Sequence, residues 1–175
     1  ANGPAKAQTY QLIVADADGF NPRTILRSNK PVMSPSWSPD GNRLAYVSFE
    51  SNRSVIYVQD LVSGDKRAIA DHPGMNAAPA WSPDGRLIAM SLSQEGNPDI
   101  YLMDANGGGL RQITTSKAID TEPAWANNNT LIYTSDQSGS PQLYRTTVAG
   151  GEGSRLTFTG EYNAAPSVVG NTVAM

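Results

Sequence analysis

Cysteine is absent from the 175 residues. Disulfides, thiol nucleophiles and Cys-ligated zinc are thereby excluded. Histidine occurs once, as His72, so a His-rich metal site is impossible and any Ser-His-Asp triad would have to use it. Charged residues are scarce at 17%, and the net charge is −3. That balance argues against a general nucleic-acid binder, which needs basic patches to neutralise phosphate. No apolar run approaches the ~18 residues of a spanning helix, so no direct membrane insertion is expected. Glycine (16) and proline (12) are plentiful instead. Together they make up about 16% of the chain, above the usual ~12%, and point to a turn-rich fold.

The residues that are present repeat. Trp37, Trp81 and Trp125 are spaced 44 and 44 apart, each two residues after a proline (Pro35, Pro79, Pro123). Pro166-Ser167-Val168 is a degenerate fourth copy, 43 residues further on. Ile56-Tyr57, Ile100-Tyr101 and Leu143-Tyr144 keep the same phase, as do Arg23, Arg67, Arg111 and Arg155. A period of 40–45 residues belongs to propeller blades or to some helical solenoids.

Inside each unit the apolar runs are short and rich in β-branched and aromatic residues, as in Leu44–Ser48 and Val55–Gln59. Turn chemistry bounds them, and no helical periodicity survives without an interrupting Gly or Pro. Four short strands per unit of about 44 residues predict an all-β fold, a β-propeller of four-stranded antiparallel blades. The first hairpin of two units is Ser-Pro-Asp-Gly, at Ser38–Gly41 and Ser82–Gly85. Pro presets φ, and Gly accepts the left-handed conformation that closes the turn. Asn127–Asn129 is expected to do the same with Asn in the left-handed position, and Gly170-Asn171 to make a tighter turn.

The units fall at 34–70, 78–114 and 122–158, with half units at 8–26 and 166–175. That is about four blades' worth of chain. The two halves either pair into a small closed ring or belong to a longer propeller. The last residues, Val173-Ala174-Met175, fall in mid-strand, and a fragment is the expectation. Unpaired propeller edges invite self-association.

Pro-x-Trp-Ser-Pro-Asp-Gly-x-x-Leu-Ala followed by Ile-Tyr-x-x-Asp resembles the WD40-like repeat of TolB-type propellers. The runs beginning at Met33, Asn76, Thr121 and Thr134 extend the resemblance over nearly the whole chain. It implies a piece of a six-bladed propeller from a periplasmic protein of the Tol–Pal system. It implies no enzymatic activity and binding of the peptidoglycan-associated lipoprotein Pal, at a site for which some colicin translocation segments compete. Outer-membrane integrity and cell division are the processes implied. Pal contacts in the family come from the loops leading into the Pro-x-Trp strands. The matching positions are Met75, Asn76, Ala78 and Thr121, with Met75 standing where the family favours His or a polar residue.

In a propeller the first strand of each blade lines the axis, and the connections between blades share one face. Those connections are Asn29–Ser34, Asp71–Ala78, Thr115–Glu122 and Gly160–Ala165. Irregular loops on a rigid scaffold are a common binding device. Met33, His72, Asp120, Glu122, Tyr162 and Asn163 therefore join the four matched positions as candidate partner contacts.

Other repeated features have structural readings. The Trp and Tyr residues are expected to fill the space between blades. The repeated arginines are expected to cover apolar surface and pair with neighbouring Asp. Asp40 and Asp84 read as turn formers and the Gly runs as hairpins. No phosphate loop is present, because none of the Gly runs has the required Lys and following helix. No cofactor or metal site is expected from the motifs. An acidic rim of Asp120, Glu122 and Glu161 is either solvated or holds a cation such as calcium. The rival function is the gating propeller of a prolyl-oligopeptidase-type hydrolase, whose Gly-x-Ser-x-Gly motif does not occur here.

Overall fold

A computed structural model describes residues 8–175. Sixteen β-strands and no helix make up the described residues. A two-stranded sheet of β1 (Tyr10–Val14) and β2 (Arg23–Ser28) comes first. Three four-stranded antiparallel sheets follow. The first holds β3 (Val32–Trp37), β4 (Arg43–Ser48), β5 (Val55–Asp60) and β6 (Lys66–Ala70). The second holds β7 (Asn76–Trp81), β8 (Leu87–Leu92), β9 (Asp99–Asp104) and β10 (Arg111–Gln112). The third holds β11 (Asp120–Asn127), β12 (Thr130–Ser135), β13 (Gln142–Thr147) and β14 (Ser154–Arg155). A second two-stranded sheet, β15 (Ser167–Val169) and β16 (Thr172–Ala174), ends the chain. The two-stranded sheets stay separate and do not pair into a ring.

These elements follow from local chemistry. In β4, β8 and β12 almost every side chain is buried on both faces, as befits middle strands covered by a sheet on each side. The Ser38–Gly41 turn is fastened by Gly41 N–H donating to Ser38 O at 2.9 Å and by Ser38 Oγ donating to Asp40 Oδ1. The Ser82–Gly85 turn repeats both bonds. Gly41 and Gly85 have φ of 70° and 69°. The Asn127–Asn129 turn departs from expectation, since none of its residues has positive φ. There, Asn129 N–H donates to Asn127 Oδ1 at 2.9 Å, so a side-chain acceptor replaces the left-handed residue.

The Trp repeat is junction packing. Trp81 is 7% exposed and packs with Ala45, Val47, Ile56 and Val58 of the preceding sheet. Trp125 does the same against Ala89, Ile100 and Leu102, and its Nε1 donates to Ala80 O at 2.9 Å. Trp37 is the exception at 49% exposed. Among the described residues only the third- and fourth-type strands, β1 and β2, precede it, and its ring is left uncovered on that side.

The arginine repeat also differs from expectation. Arg67 Nη2 donates to Ala105 O at 3.2 Å, and Arg111 Nη1 donates to Val148 O. Arg67 and Arg111 thus tie their sheets to a carbonyl of the next, where an Asp partner was expected, whereas Arg155 Nε donates to Thr157 O two residues on. A guanidinium can satisfy a turn carbonyl that has no strand partner.

Candidate functional site

The first strands β3, β7, β11 and β15 lie side by side in that order and form the inner wall. Each full sheet's first strand carries a register break, between Met33 and Ser36, Ala77 and Ala80, and Thr121 and Ala124. The cause is one left-handed residue before the repeated proline. Ser34, Ala78, Glu122 and Ala165 have φ of 53°, 48°, 56° and 51°. Non-glycine residues seldom adopt this conformation, which costs roughly 1–2 kcal/mol, and a following proline normally favours extended backbone. The four strained residues and their prolines (Pro35, Pro79, Pro123, Pro166) surround a single open pocket of about 390 Å³. In the three full sheets the strand has already begun by then: Asn76 and Asp120 are strand residues, where the sequence placed them in loops.

Hydroxyls of the neighbouring sheet hold this ring. Ser91 pairs with Ala77, and its Oγ accepts the Glu122 N–H at 3.2 Å. Thr134 pairs with Thr121, and its Oγ1 accepts the Ala165 N–H at 3.2 Å. The Glu122 carboxylate joins the second latch. Its Oε2 accepts Ala165 N–H at 2.9 Å and Thr134 Oγ1–H at 3.0 Å. At the first junction the equivalent residue is Val47, paired with Met33, and a valine offers no such acceptor.

A second repeat stands two residues before each left-handed residue of the last three junctions: Asn76, Asp120 and Asn163. Asn76 Nδ2 donates to Ser54 O at 3.0 Å and His72 O at 2.8 Å, and its Oδ1 accepts His72 N–H at 3.1 Å. Asn163 Nδ2 donates to Thr159 O and Gln142 Oε1, both at 2.9 Å. Each amide closes its own entry loop onto the residue four positions back. Asp120 has only acceptors. Its Oδ2 accepts Ser116 Oγ–H at 3.1 Å, while Asn97 Nδ2 donates to the Ser116 carbonyl at 3.1 Å in its place.

The ten candidate contacts therefore divide by exposure. Asn76 and Asp120 are buried and organise loops; in the free chain their side chains are enclosed. Glu122 is partly exposed, with one carboxylate oxygen engaged within the ring. Ala78 lines the axial pocket itself. Met75, Thr121 and Asn163 are partly buried on the strands and loops around it, as is His72, whose backbone Asn76 holds. Met33 and Tyr162 are exposed large side chains at the same end of the first strands. Sequence reasoning missed Ser91, Thr134 and the left-handed backbone. The hydroxyls were detectable only through their pairing with Ala77 and Thr121, the residues just before the left-handed Ala78 and Glu122.

No helix of the described residues is long and apolar enough to cross a membrane. Among them, no group of three or more His, Asp or Glu side chains gathers into a metal cluster.

Comparison with known proteins gives this architecture a family. The family model described as the TolB beta propeller domain matches residues 1–175. The Tol-Pal system protein TolB of Methylococcus capsulatus is 54% identical over 77 residues, which cover 44% of this chain and 18% of that protein. The crystal structure of TolB from Acinetobacter baumannii superposes with a TM-score of 0.84 at 43% identity, covering 91% of this chain and 40% of that one. The chain thus spans well under half the length of these relatives. A puromycin hydrolase structure also superposes, with a TM-score of 0.73 over 89% of this chain and 26% of that one, but at 18% identity it shares the fold alone. By sequence over its full length and by its repeated sheets, the chain belongs to the TolB beta propeller domain family.

Proposed function

We propose that this chain is a non-enzymatic, protein-binding propeller segment of the Tol–Pal system, and that it docks Pal at the axial opening. The observation that carries the reading is the ring of left-handed residue–proline pairs around one open pocket. Backbone strain of this kind persists where surrounding structure enforces it, and it is concentrated at binding and switch sites. Small Ala78 and Ala165 leave room at the rim. Thr121, Met75 and the exposed Tyr162 stand one to three residues before the rim's left-handed positions and offer a hydroxyl, a thioether and an aromatic ring. Such groups suit a partner segment inserted by shape, with few charged anchors. The names of the relatives agree, since they belong to Tol-Pal system proteins.

On this reading the protein works in the periplasm, supports outer-membrane integrity and division, and offers colicin translocation segments the same opening. Calorimetric titration of the chain with purified soluble Pal tests it. Saturable binding at micromolar or tighter affinity is expected, and a folded sample that gives no heat with Pal overturns the reading.

A further inference from the structure

The chain has five methionines and no cysteine, so oxidation at sulfur can fall only on thioethers. Burial divides them. Met90 and Met103, at 0% and 4% exposed, sit in the core between the first and second full sheets. Met75 is partly buried, and its backbone is pinned to Ser93. Its N–H donates to Ser93 Oγ at 2.7 Å, and its carbonyl accepts the Ser93 N–H at 3.1 Å. Met33 and Met175 are 46% and 62% exposed. Met175 follows β16 at the far end of the described residues.

Of the five, Met33 combines an exposed side chain with a place on the axial rim. It pairs with Val47 in the same register that joins Ala77 to Ser91 and Thr121 to Thr134. Each of these three residues directly precedes a left-handed one: Ser34, Ala78 or Glu122. Ser34 and Pro35 line the axial pocket. Met33 thus takes in the first full sheet the place that Thr121 takes in the third. A thioether there is apolar, flexible and polarisable, which suits contact with a partner. Unlike the alanine and threonine of the other two sheets, it can be made strongly polar by a single reaction. We propose that Met33 is an oxidation site whose sulfoxide lowers the affinity of the rim for its partner.

The inference rests on the reading of the rim as the Pal docking site and adds a means of regulating it. The oxidant is a two-electron oxygen donor of the hydroperoxide class. A lone pair of Met33 Sδ attacks one oxygen of hydrogen peroxide, and the S–O bond forms as the O–O bond breaks. The departing oxygen leaves as hydroxide and takes up the proton of the transferred one, giving water. Sulfur is oxidised by two electrons, and the peroxide is reduced. The product carries an S–O dipole on a side chain that was apolar. Enclosing that dipole against a partner that offers no matching donor is unfavourable, so docking weakens. The exposed position of Met33 spares the core, where Met90 and Met103 are shielded. Methionine sulfoxide reductase returns the thioether.

The test exposes the 175-residue chain to hydrogen peroxide, quenches with free methionine and follows each methionine by peptide mass mapping. Met33 and Met175 should gain an oxygen several-fold faster than Met90 and Met103, with the Tm unchanged. In calorimetry the oxidised chain should bind soluble Pal about fivefold more weakly or worse. Treatment with methionine sulfoxide reductase and dithiothreitol should restore the affinity, a readout that requires no variant. Each variant is then compared with its own untreated form. In Met33→Leu peroxide should leave the affinity where it was, whereas in Met75→Leu and Met175→Leu the loss on oxidation should persist. An untreated chain that does not bind Pal overturns the docking reading, and this inference with it. An untreated chain that binds Pal, and binds it equally well once Met33 is oxidised, overturns the inference alone. So does a loss that survives in Met33→Leu, or a Met33 that oxidises no faster than Met90.

Discussion

The carboxylate of Glu122 accepts the backbone N–H of Ala165 at 2.9 Å, joining the third full sheet to the sheet that follows. This acidic side chain on the axial rim is thus committed to holding the next strand's strained residue. Glu122→Ala removes the acceptor and leaves Thr134 as the remaining partner. Faster amide exchange at Ala165, by about fivefold, is expected from losing one hydrogen bond of roughly 1 kcal/mol. Glu122→Gln keeps an oxygen in place and should restore most of the protection. Equal exchange in all three proteins, followed by NMR, would show that the latch carries no energy.

Trp81 and Trp125 occupy the same position but differ in one bond. The Trp81 indole N–H is buried without a partner, whereas that of Trp125 donates to Ala80 O. Trp81→Ala should cost about 3–5 kcal/mol through the cavity it leaves. Replacement by Phe separates the two sites. Trp125→Phe loses a bond and orphans a carbonyl, so it should cost about 1 kcal/mol more than Trp81→Phe. Denaturant unfolding measures both, and an equal loss at the two sites would contradict the assignment.

Ala78 tests the strained ring. At φ 48° it sits where a Cβ is disfavoured. Ala78→Gly relieves that strain but adds entropy to the unfolded chain, and should change stability by less than about 1 kcal/mol. Ala78→Val puts a β-branched residue in the same conformation and should destabilise by about 1–2 kcal/mol or more. A well-tolerated valine in thermal unfolding would mean that the backbone is not held there.

Thr121 lies beside the rim and is only partly buried. Thr121→Arg should weaken Pal binding by at least tenfold with the Tm unchanged. Unchanged affinity in calorimetry would move the site away from the axial opening.

The carboxylates should titrate in opposite directions. Asp71 is held below its ordinary 3.8, first by the hydrogen bond from Arg53 and then against a small burial penalty. A lowered folded pKa contributes stability above the unfolded value, and that stability is lost as pH falls through the folded one. Asp99 is raised, chiefly by burial. Its charged form destabilises the fold at neutral pH, and this cost disappears as pH falls through its raised value. Carboxyl 13C titration should therefore place the Asp99 midpoint above 3.8 and that of Asp71 below it. Coincident midpoints would count against the burial of Asp99.

The blades were legible because large residues must return at a fixed phase to fill each junction. Trp81, Trp125, Tyr101 and Tyr144 all carry that signal in their side chains. The ring was not legible, because its signal lies in backbone angles. The residues before the repeated prolines are Ser34, Ala78, Glu122 and Ala165, with no shared chemistry, and proline by itself argues for extended backbone there. Asn76, Asp120 and Asn163 were visible singly, yet their common role depends on bonds to the residue four positions back. Those bonds form only after the loop closes. Trp37 has the sequence of a buried residue and is exposed because burial depends on its neighbours as well as on its identity.

The uneven hydroxyl latches have a mechanical consequence. The seams at Glu122 and Ala165 are bolted near the rim by Ser91 and by the Thr134–Glu122 pair. The seam at Ala78 faces Val47 and is fastened deeper instead, where Ser36 Oγ accepts the Trp81 N–H at 3.3 Å and Arg43 stacks 4.6 Å from the Trp81 ring. The rim is therefore a jaw with two stiff sides and one compliant one. A wedge pushed into it spreads the first two full sheets about the Trp81 fulcrum, and its load falls on that tryptophan.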